Sequence, residues 1–242
     1  MSEFTTPTEK VELPSKGLVY PKENPLSSGV IEMKYMTAKE EDILMNQSYI
    51  KKGTAIDKLL TSLIVTEIDY DDMIVGDKNA VMIAARVLGY GPDYTFEYDG
   101  EEHTVDLGQI DNKPFDNNIT QGLNEFAFTL PHSKIDITYK LLTNKDEKNI
   151  TRELEGLKKL NRNNSPELST RMKYIITSVD GDREIKTVRE FVDKSLLARD
   201  SKSLRNHIKA TQPDIDLTFF PKKDEDGVSI PIGLSFFWPD VK

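Results

Sequence analysis

The first part of the chain shows two different periods of apolar and polar residues. In the segment VIEMKYM, residues 30–36, every second residue from Ile31 is apolar, which is typical of a half-buried strand. Thr37 follows with Glu40 three positions later, and this spacing predicts a capping box at the start of a helix. The apolar residues of the next predicted helix lie on one face and are Ile56, Leu59, Leu60, Leu63 and Ile64.

A third helix and a hairpin complete this predicted unit. We expect the helix to begin after Asp77, whose carboxylate suits an N-cap. Gly-Pro-Asp at residues 91–93 predicts where it stops, and the segment YTFEYDGEEHTVDL then has an Asp-Gly turn between two alternating runs. The apolar stripe of the third helix consists of Val81, Ala84, Ala85 and Leu88.

The second part of the chain gives the same order of elements. KIDITYKLL, which starts at Lys134, alternates like the first strand and leads to Thr143, a second predicted helix cap. Asp200 is predicted to cap the helix that carries Leu204 and Ile208, and Gln-Pro-Asp with another Asp-Gly hairpin follows it. An added helix is predicted from the spacing of Ile185, Val188, Val192 and Leu196.

Several pairs of segments match in the same order along the two parts. LIVTEIDYDD at 63–72 corresponds to YIITSVDGDR at 174–183, and Leu-Pro at 13–14 to Leu-Pro at 130–131. We therefore predict an α+β fold built from two diverged copies of one unit. The predicted division is a flexible tail at 1–9, a first copy at 10–110, a linker at 111–125, and a second copy at 126–242 with the added helix and an aromatic C-terminus.

Charge differs between the two predicted copies. Residues 1–110 carry 10 Lys and Arg against 20 Asp and Glu, whereas residues 126–242 carry 21 against 18. The net charge of −9 disfavours nucleic acid or an anionic membrane as the main partner. The acidic first copy indicates either a solvated surface or a polar, head-to-tail contact with a partner protein.

Composition limits the chemistry further. The chain has no cysteine, which excludes disulfides and thiolate zinc sites and fits a reducing compartment. The longest apolar stretch, LLTSLIV, is much shorter than a membrane span, and the start MSEFTTPTEK does not resemble a signal peptide. We therefore expect a soluble protein that is not exported by a signal peptide.

Motifs for catalysis or metal binding are weak. DYDDMIVGD and DGDREI have acidic residues at alternate positions, as calcium-binding loops do. At the sixth position, where the sharp turn of a calcium-binding loop needs glycine, they have Ile74 and Ile185. His103, His132 and His207 share no metal-ligand spacing, and GYGPDY is an isolated Gly-x-Gly. We predict a non-enzymatic protein with no catalytic residue, no cofactor and no metal.

The end of the chain, LSFFWPDVK, has the strongest candidate for partner binding. Phe236, Phe237 and the only tryptophan, Trp238, are consecutive and precede a proline. One interpretation is that they cover the second hairpin as core residues. The other is a docking segment in which residues 230–236 form a strand while Phe237 and Trp238 anchor a partner, because buried aromatic side chains often dominate interface energetics.

Five segments together resemble a known family. LPSKGLVYP, MTAKEEDIL, GDKNAVMIAARVLGYGPDY, LLARDSKSLRNHI with the following PDID, and FFWPD are similar to the baseplate hub assembly proteins of T4-like contractile-tailed bacteriophages. The resemblance covers nearly the whole chain and supplies no catalytic residues. The resemblance implies that relatives often carry cysteine pairs in the hairpins, as in small zinc ribbons, whereas 98–103 and 221–227 have none here.

The resemblance implies a late viral protein that acts in the host cell cytoplasm during construction of the tail baseplate hub. Its expected partners are other baseplate hub or tape-measure proteins. It is then either an assembly factor that leaves or a permanent structural subunit of the virion tail baseplate. Were the resemblance accidental, an unrelated intracellular adaptor would remain.

Overall fold

A computed structural model describes residues 6–115, 121–160, 166–221 and 227–237. The chain is a mixed α and β protein with 47% helix and 20% strand, which confirms the predicted fold class at that level. Its sheets are small and antiparallel: β1–β2, β3–β4, β5–β6–β7 and β8–β9 among the described residues. The helices, rather than one large sheet, therefore supply much of the packing.

Between residues 6 and 110, the first part contains four strands, four α-helices and three short 3₁₀ helices. Strand β2 ends just before Thr37, where helix α1 begins as the capping box predicts. In order the elements are β1 (Thr8–Glu12), a 3₁₀ helix (Pro25–Ser28), β2 (Val30–Lys34), α1 (Ala38–Met45), α2 (Gln47–Lys51), α3 (Ala55–Leu63), a 3₁₀ helix (Tyr70–Asp72), α4 (Val75–Tyr90), β3 (Asp93–Tyr98), β4 (Glu101–Asp106) and a 3₁₀ helix (Leu107–Gln109).

The second part follows a similar order with a third strand and an added helix. The added helix is α7, but Ile185 is 73% exposed and Leu196 lies beyond its end, so its buried face is narrower than predicted. In order the elements are β5 (Phe126–Thr129), β6 (Asp136–Tyr139), α5 (Asn144–Leu160), α6 (Glu167–Ile175), β7 (Ile176–Val179), α7 (Ile185–Lys194), α8 (Ala198–Thr211), β8 (Thr218–Phe219), β9 (Val228–Ser229) and a 3₁₀ helix (Leu234–Phe237).

The segments LIVT and YIIT occupy comparable places. Each comes at the end of a helix and pairs with an earlier strand of the same half. Ile64 forms a β-bridge with Met33 of β2, and Ile176 pairs with Tyr139 of β6. By these pairings Ile64 is comparable in position to Ile176, whereas the segment match predicted from sequence places Ile64 opposite Ile175. A shift of one residue matters because neighbouring strand residues face opposite sides of a sheet.

The apolar core forms two clusters. The smaller cluster joins β5, β6 and β7 to α6, α7 and α8. The larger one fills the first part of the chain and also takes in Ile215, Ile230, Phe236 and Phe237 from the C-terminal segment. The last hairpin and the aromatic end therefore pack on the first part rather than on their own half.

Backbone bonds also join the two halves where α4 and α5 begin. Ile74 and Thr143 form an antiparallel bridge, in which the Val75 amide donates to the Leu142 carbonyl at 3.0 Å. On the other side of this bridge the Asn144 amide donates to the Met73 carbonyl at 2.9 Å. The two helices are thereby anchored to each other at their N-termini.

Two sequence predictions need correction here. Strand β1 begins at Thr8, inside the tail predicted at 1–9, and residues 1–5 lie outside the described part. The strand predicted over 230–236 is instead a turn followed by a 3₁₀ helix, because Phe236 and Phe237 both face the core and cannot alternate across a strand. The division at 110 and 126 stays a prediction.

Gly76 lies where α4 meets the C-terminal segment, and replacing it by alanine should destabilise the protein. A Cβ atom there would lie 1.9 Å from the backbone oxygen of Pro213, so the backbone must shift. We expect Gly76→Ala to lower the free energy of unfolding by about 2 to 3 kcal/mol, as overpacking does. Gly156→Ala is the matched control, since its Cβ meets nothing within 4 Å and alanine favours helix by about 1 kcal/mol. Chemical denaturation of both variants measures the difference; equal stabilities would contradict the close approach.

Candidate partner-binding surface

The aromatic end of the chain lies inside the protein. Phe236 and Phe237 are both 0% exposed and their rings meet edge to face at 5.4 Å between centroids. Tyr94 packs on Phe236 at 4.7 Å. Trp238, the third predicted contact residue, lies outside the described residues. In this structure Phe236 and Phe237 are core residues, and the prediction that Phe237 faces a partner is corrected.

Arg86 fixes this aromatic end to the first part of the chain. Its side chain is 2% exposed, and Nε donates to the Phe236 carbonyl at 3.1 Å. Nη1 and Nη2 donate to the carbonyls of Gly91 and Asp93 at 3.0 and 3.1 Å. One planar guanidinium thus ties together helix α4, the loop that follows it, and the C-terminal 3₁₀ helix.

Asp77 does not cap its helix as predicted. Helix α4 begins at Val75, so Asp77 is the third helical residue, and its carboxylate points away to the loop of LPSKGLVYP. It accepts hydrogen bonds from the Ser15 amide at 2.9 Å, the Ser15 hydroxyl at 2.6 Å and the Tyr20 hydroxyl at 2.6 Å. Burial raises the pKa of Asp77 and, together with the nearby carboxylate, that of Tyr20.

Asp200 also departs from its predicted role, and in the same way. It is the third residue of α8 and accepts the amides of His132 and Ser133 at 2.8 and 3.0 Å, in the loop of LPHSKI. Burial acts to raise the pKa of Asp200, but these hydrogen bonds outweigh it and hold the pKa below its usual range. Both aspartates therefore hold a loop in place, because each helix starts three residues earlier than the predicted cap position implies.

The two threonines do sit at helix starts, with matching surroundings. The Thr37 amide and hydroxyl donate to Glu40, which also receives the Lys34 ammonium at 2.8 Å. The Thr143 amide and hydroxyl likewise donate to the carboxylate of Asp146, which also accepts a hydrogen bond from the Lys140 ammonium at 2.8 Å. Both strand-to-helix turns are thus held by a lysine, a threonine and an acid.

We expect the protein to become less stable in acid because the carboxylate of Glu40 becomes protonated. Burial alone would raise its pKa, but Lys34, Thr37 and Ser62 donate hydrogen bonds that lower the pKa to about 2. When folding lowers the pKa of a carboxyl group, that group stabilises the folded protein at pH values above its pKa in the unfolded chain. The stabilisation is lost as the pH falls through the pKa that the group has in the folded protein. We expect Glu40→Gln to cost about 3 kcal/mol at pH 7 and progressively less below about pH 4.5. Urea unfolding across this range tests it, and a cost that does not change with pH would contradict it.

A groove of about 430 Å³ runs beside β1 and was not foreseen from sequence. Strand residues Glu9–Glu12 form one wall. Helix α4 forms the floor of the groove. The helix is apolar on two sides, and no other described element covers the side that faces the groove. The apolar lining consists of Val11, Ala80, Ile83, Ala84, Val87, Leu88, Leu107, Ile110 and Ile215. The signal in the sequence is the nearly unbroken apolar run VMIAARVL, which is too wide for one buried stripe.

The outer edge of β1 faces this groove. The Leu13 amide donates to Gly29 and the Tyr35 amide to Pro7, so the odd-numbered residues of β1 direct their backbone groups to β2. The amides and carbonyls of Thr8, Lys10 and Glu12 consequently point outward. Within the described residues no other strand pairs with this edge.

His103 and His207 pack on aromatic rings, whereas His132 is exposed and donates its backbone amide to Asp200. His103 lies beside Phe219 at 5.1 Å between ring centroids, and His207 stacks on Phe128 at 4.6 Å. Burial lowers the pKa of His207. Across residues 6–115, 121–160, 166–221 and 227–237, no three His, Asp or Glu side chains come together in a way that could hold a metal ion. In the same ranges, every helix is too short or too polar to cross a membrane.

Comparison with protein-family models, curated proteins and solved structures returned no match to this chain.

Proposed function

We propose that this chain is a non-enzymatic assembly factor for the tail baseplate hub of a contractile-tailed bacteriophage. In this role it holds a hub or tape-measure component in a competent state in the host cytoplasm and then leaves. The proposal starts from the resemblance of five sequence segments to baseplate hub assembly proteins.

One structural observation supports the proposal. Three of the five segments, which are far apart in the chain, meet around helix α4. LPSKGLVYP supplies Ser15 and Tyr20 to Asp77 of the GDKNAV segment, and Arg86 of that same segment binds the Phe236 carbonyl of FFWPD. Segments that act as one structural unit favour a family pattern over separate chance similarities.

We also propose that the two halves descend from one duplicated unit. Asp77 and Asp200 each hold a Leu-Pro loop from the third position of a helix. Lys34 and Lys140 each bind an acid three residues after a capping threonine. Two independent local arrangements that recur in the same chain order support duplication more strongly than sequence matches of low identity do.

The main alternative is a permanent structural subunit of the baseplate hub. Permanent subunits generally bury broad apolar surfaces. A mean hydropathy of −0.50 and an acidic first part instead suit a protein that stays dissolved by itself between encounters. An unrelated intracellular adaptor is the second alternative, and it would predict no connection with phage tails.

Mass spectrometry of purified phage particles beside infected-cell lysate tests the proposal. We expect the chain in the lysate and not in finished tails, while a nonsense mutation in its gene stops tails at the hub stage. Stoichiometric presence in finished tails would make it a structural subunit. Normal tails without the protein would overturn both phage roles and favour the adaptor.

A further inference from the structure

We propose that the groove beside β1 binds an extended segment of a partner protein as an added strand. The segment we infer has apolar residues at alternate positions and Lys or Arg at its ends. This inference deepens the proposed function by giving the assembly factor a binding site.

The backbone of β1 supplies the first half of the recognition. Thr8, Lys10 and Glu12 present unpaired amides and carbonyls on an edge that no described strand covers. An added strand would lie about 4.8 Å from β1, and its main-chain hydrogen bonds would be independent of its sequence.

The groove floor supplies the second half. Every second side chain of an added strand points to the same face of the sheet, the face on which Val11 lies over α4. Ala84, Val87 and Leu88 of α4 are partly exposed there, with Ile110 on the far wall. Alternate apolar side chains would therefore enter the groove while the residues between them stay in water.

The negative charge of the groove rim favours basic residues at the ends of the partner segment. Glu9 and Glu12 are exposed at the groove rim, and neither is in an ion pair with another described residue, although Glu9 accepts a hydrogen bond from the Tyr35 hydroxyl at 3.3 Å. Lys10 is the single opposite charge on this wall, and the surrounding residues 1–110 carry 20 acids against 10 bases. A segment with basic ends gains favourable electrostatics at such a rim, whereas an acidic one is repelled.

Three synthetic peptides of equal length test the inference with the purified protein. The matching peptide is KTVTVTVTK, the acidic one ETVTVTVTE, and the third, KTTVVVTTK, has the same composition as the first without the alternation. By NMR titration we expect the first to bind at least about tenfold more tightly than either of the others. Hydrogen exchange at the Thr8, Lys10 and Glu12 amides should slow only with that peptide.

Lys10→Pro is the decisive variant. Its amide points outward, so proline removes an edge donor without breaking a β1–β2 hydrogen bond. The substitution also removes the positive charge on this wall, which by itself would favour a basic peptide. A loss of binding of at least about tenfold therefore reports the strand edge and not the charge.

Glu102→Pro is the matched control. The Leu107 amide donates to Pro92, so Glu102 likewise directs its amide outward, but on β4 and away from the groove. We expect this variant to bind the matching peptide like the wild type. Equal loss in both proline variants would overturn the inference, because a general loss of strand structure would then explain it.

Other outcomes also decide the matter. If none of the peptides binds, or if protection appears away from β1, the inference is wrong. If sedimentation shows a wild-type dimer that Lys10→Pro dissociates, the groove binds a second copy, and the proposed partner segment is overturned. All these measurements use purified protein, so their failure is distinct from failure of the phage role, which particle composition decides.

Discussion

Replacement of Arg86 by alanine is expected to lower the free energy of unfolding by about 5 kcal/mol, one of the largest losses of any single substitution in this chain. The side chain is fully enclosed and donates to three backbone carbonyls, those of Phe236, Gly91 and Asp93. Alanine would leave the buried Phe236 carbonyl without this donor and remove the partly buried hydrogen bonds to Gly91 and Asp93. It would also leave a cavity under the aromatic end.

The loss should extend to the C-terminal segment before the rest of the protein. Arg86 is the described side chain that binds the Phe236 carbonyl, so its removal should release the 3₁₀ helix Leu234–Phe237 from α4. Hydrogen exchange in this segment should therefore rise in Arg86→Ala even under conditions where the protein stays folded.

Arg152→Ala provides the control for removal of an arginine. Arg152 is exposed on α5 and donates to the side chain of Asn149. We expect less than about 0.5 kcal/mol from its replacement. Urea unfolding of both variants gives the comparison. Similar small losses in the two would mean that Arg86 is not an internal tie between α4 and the aromatic end.

Sequence patterns predicted what local periodicity determines. The strand Val30–Lys34, the capping box at Thr37 and the hairpin after residue 91 all follow from residues near one another in the chain. The patterns were less reliable where a side chain acts at a distance. Asp77 has the chemistry of a helix cap, but the structure uses its carboxylate for a loop 62 residues earlier.

The aromatic end and the groove have the same physical explanation. Helix α4 is apolar on two sides, and two residues of its predicted core stripe, Ala84 and Leu88, are only partly buried and line the groove. The C-terminal segment covers one side, which is why Phe237 is buried and not exposed for a partner. The other side is the floor of the groove beside β1. Which element covers which face of a helix depends on tertiary contacts that no local pattern contains.

Removal of the two loop clamps should have unequal effects. Asp77 receives three hydrogen bonds from Ser15 and Tyr20, all buried, and we expect Asp77→Ala to cost about 4 kcal/mol at neutral pH. Asp200 binds the amides of His132 and Ser133 in a loop that is partly exposed, so water can replace the lost acceptor. We expect about 2 to 3 kcal/mol for Asp200→Ala.

The pH dependence of these two costs should have opposite signs, because the pKa of Asp77 is raised on folding and that of Asp200 is lowered. A carboxyl with a raised pKa contributes more stability below its unfolded pKa, so the cost of Asp77→Ala should grow as the solution becomes acidic. The contribution of Asp200 is present above its unfolded pKa and is lost in acid, so the cost of Asp200→Ala should shrink. Urea unfolding of both variants and the wild type between neutral and acidic pH measures this directly. Costs that change in the same direction would show that the two carboxylates are clamps of the same electrostatic kind, and that burial does not control the ionisation of Asp77.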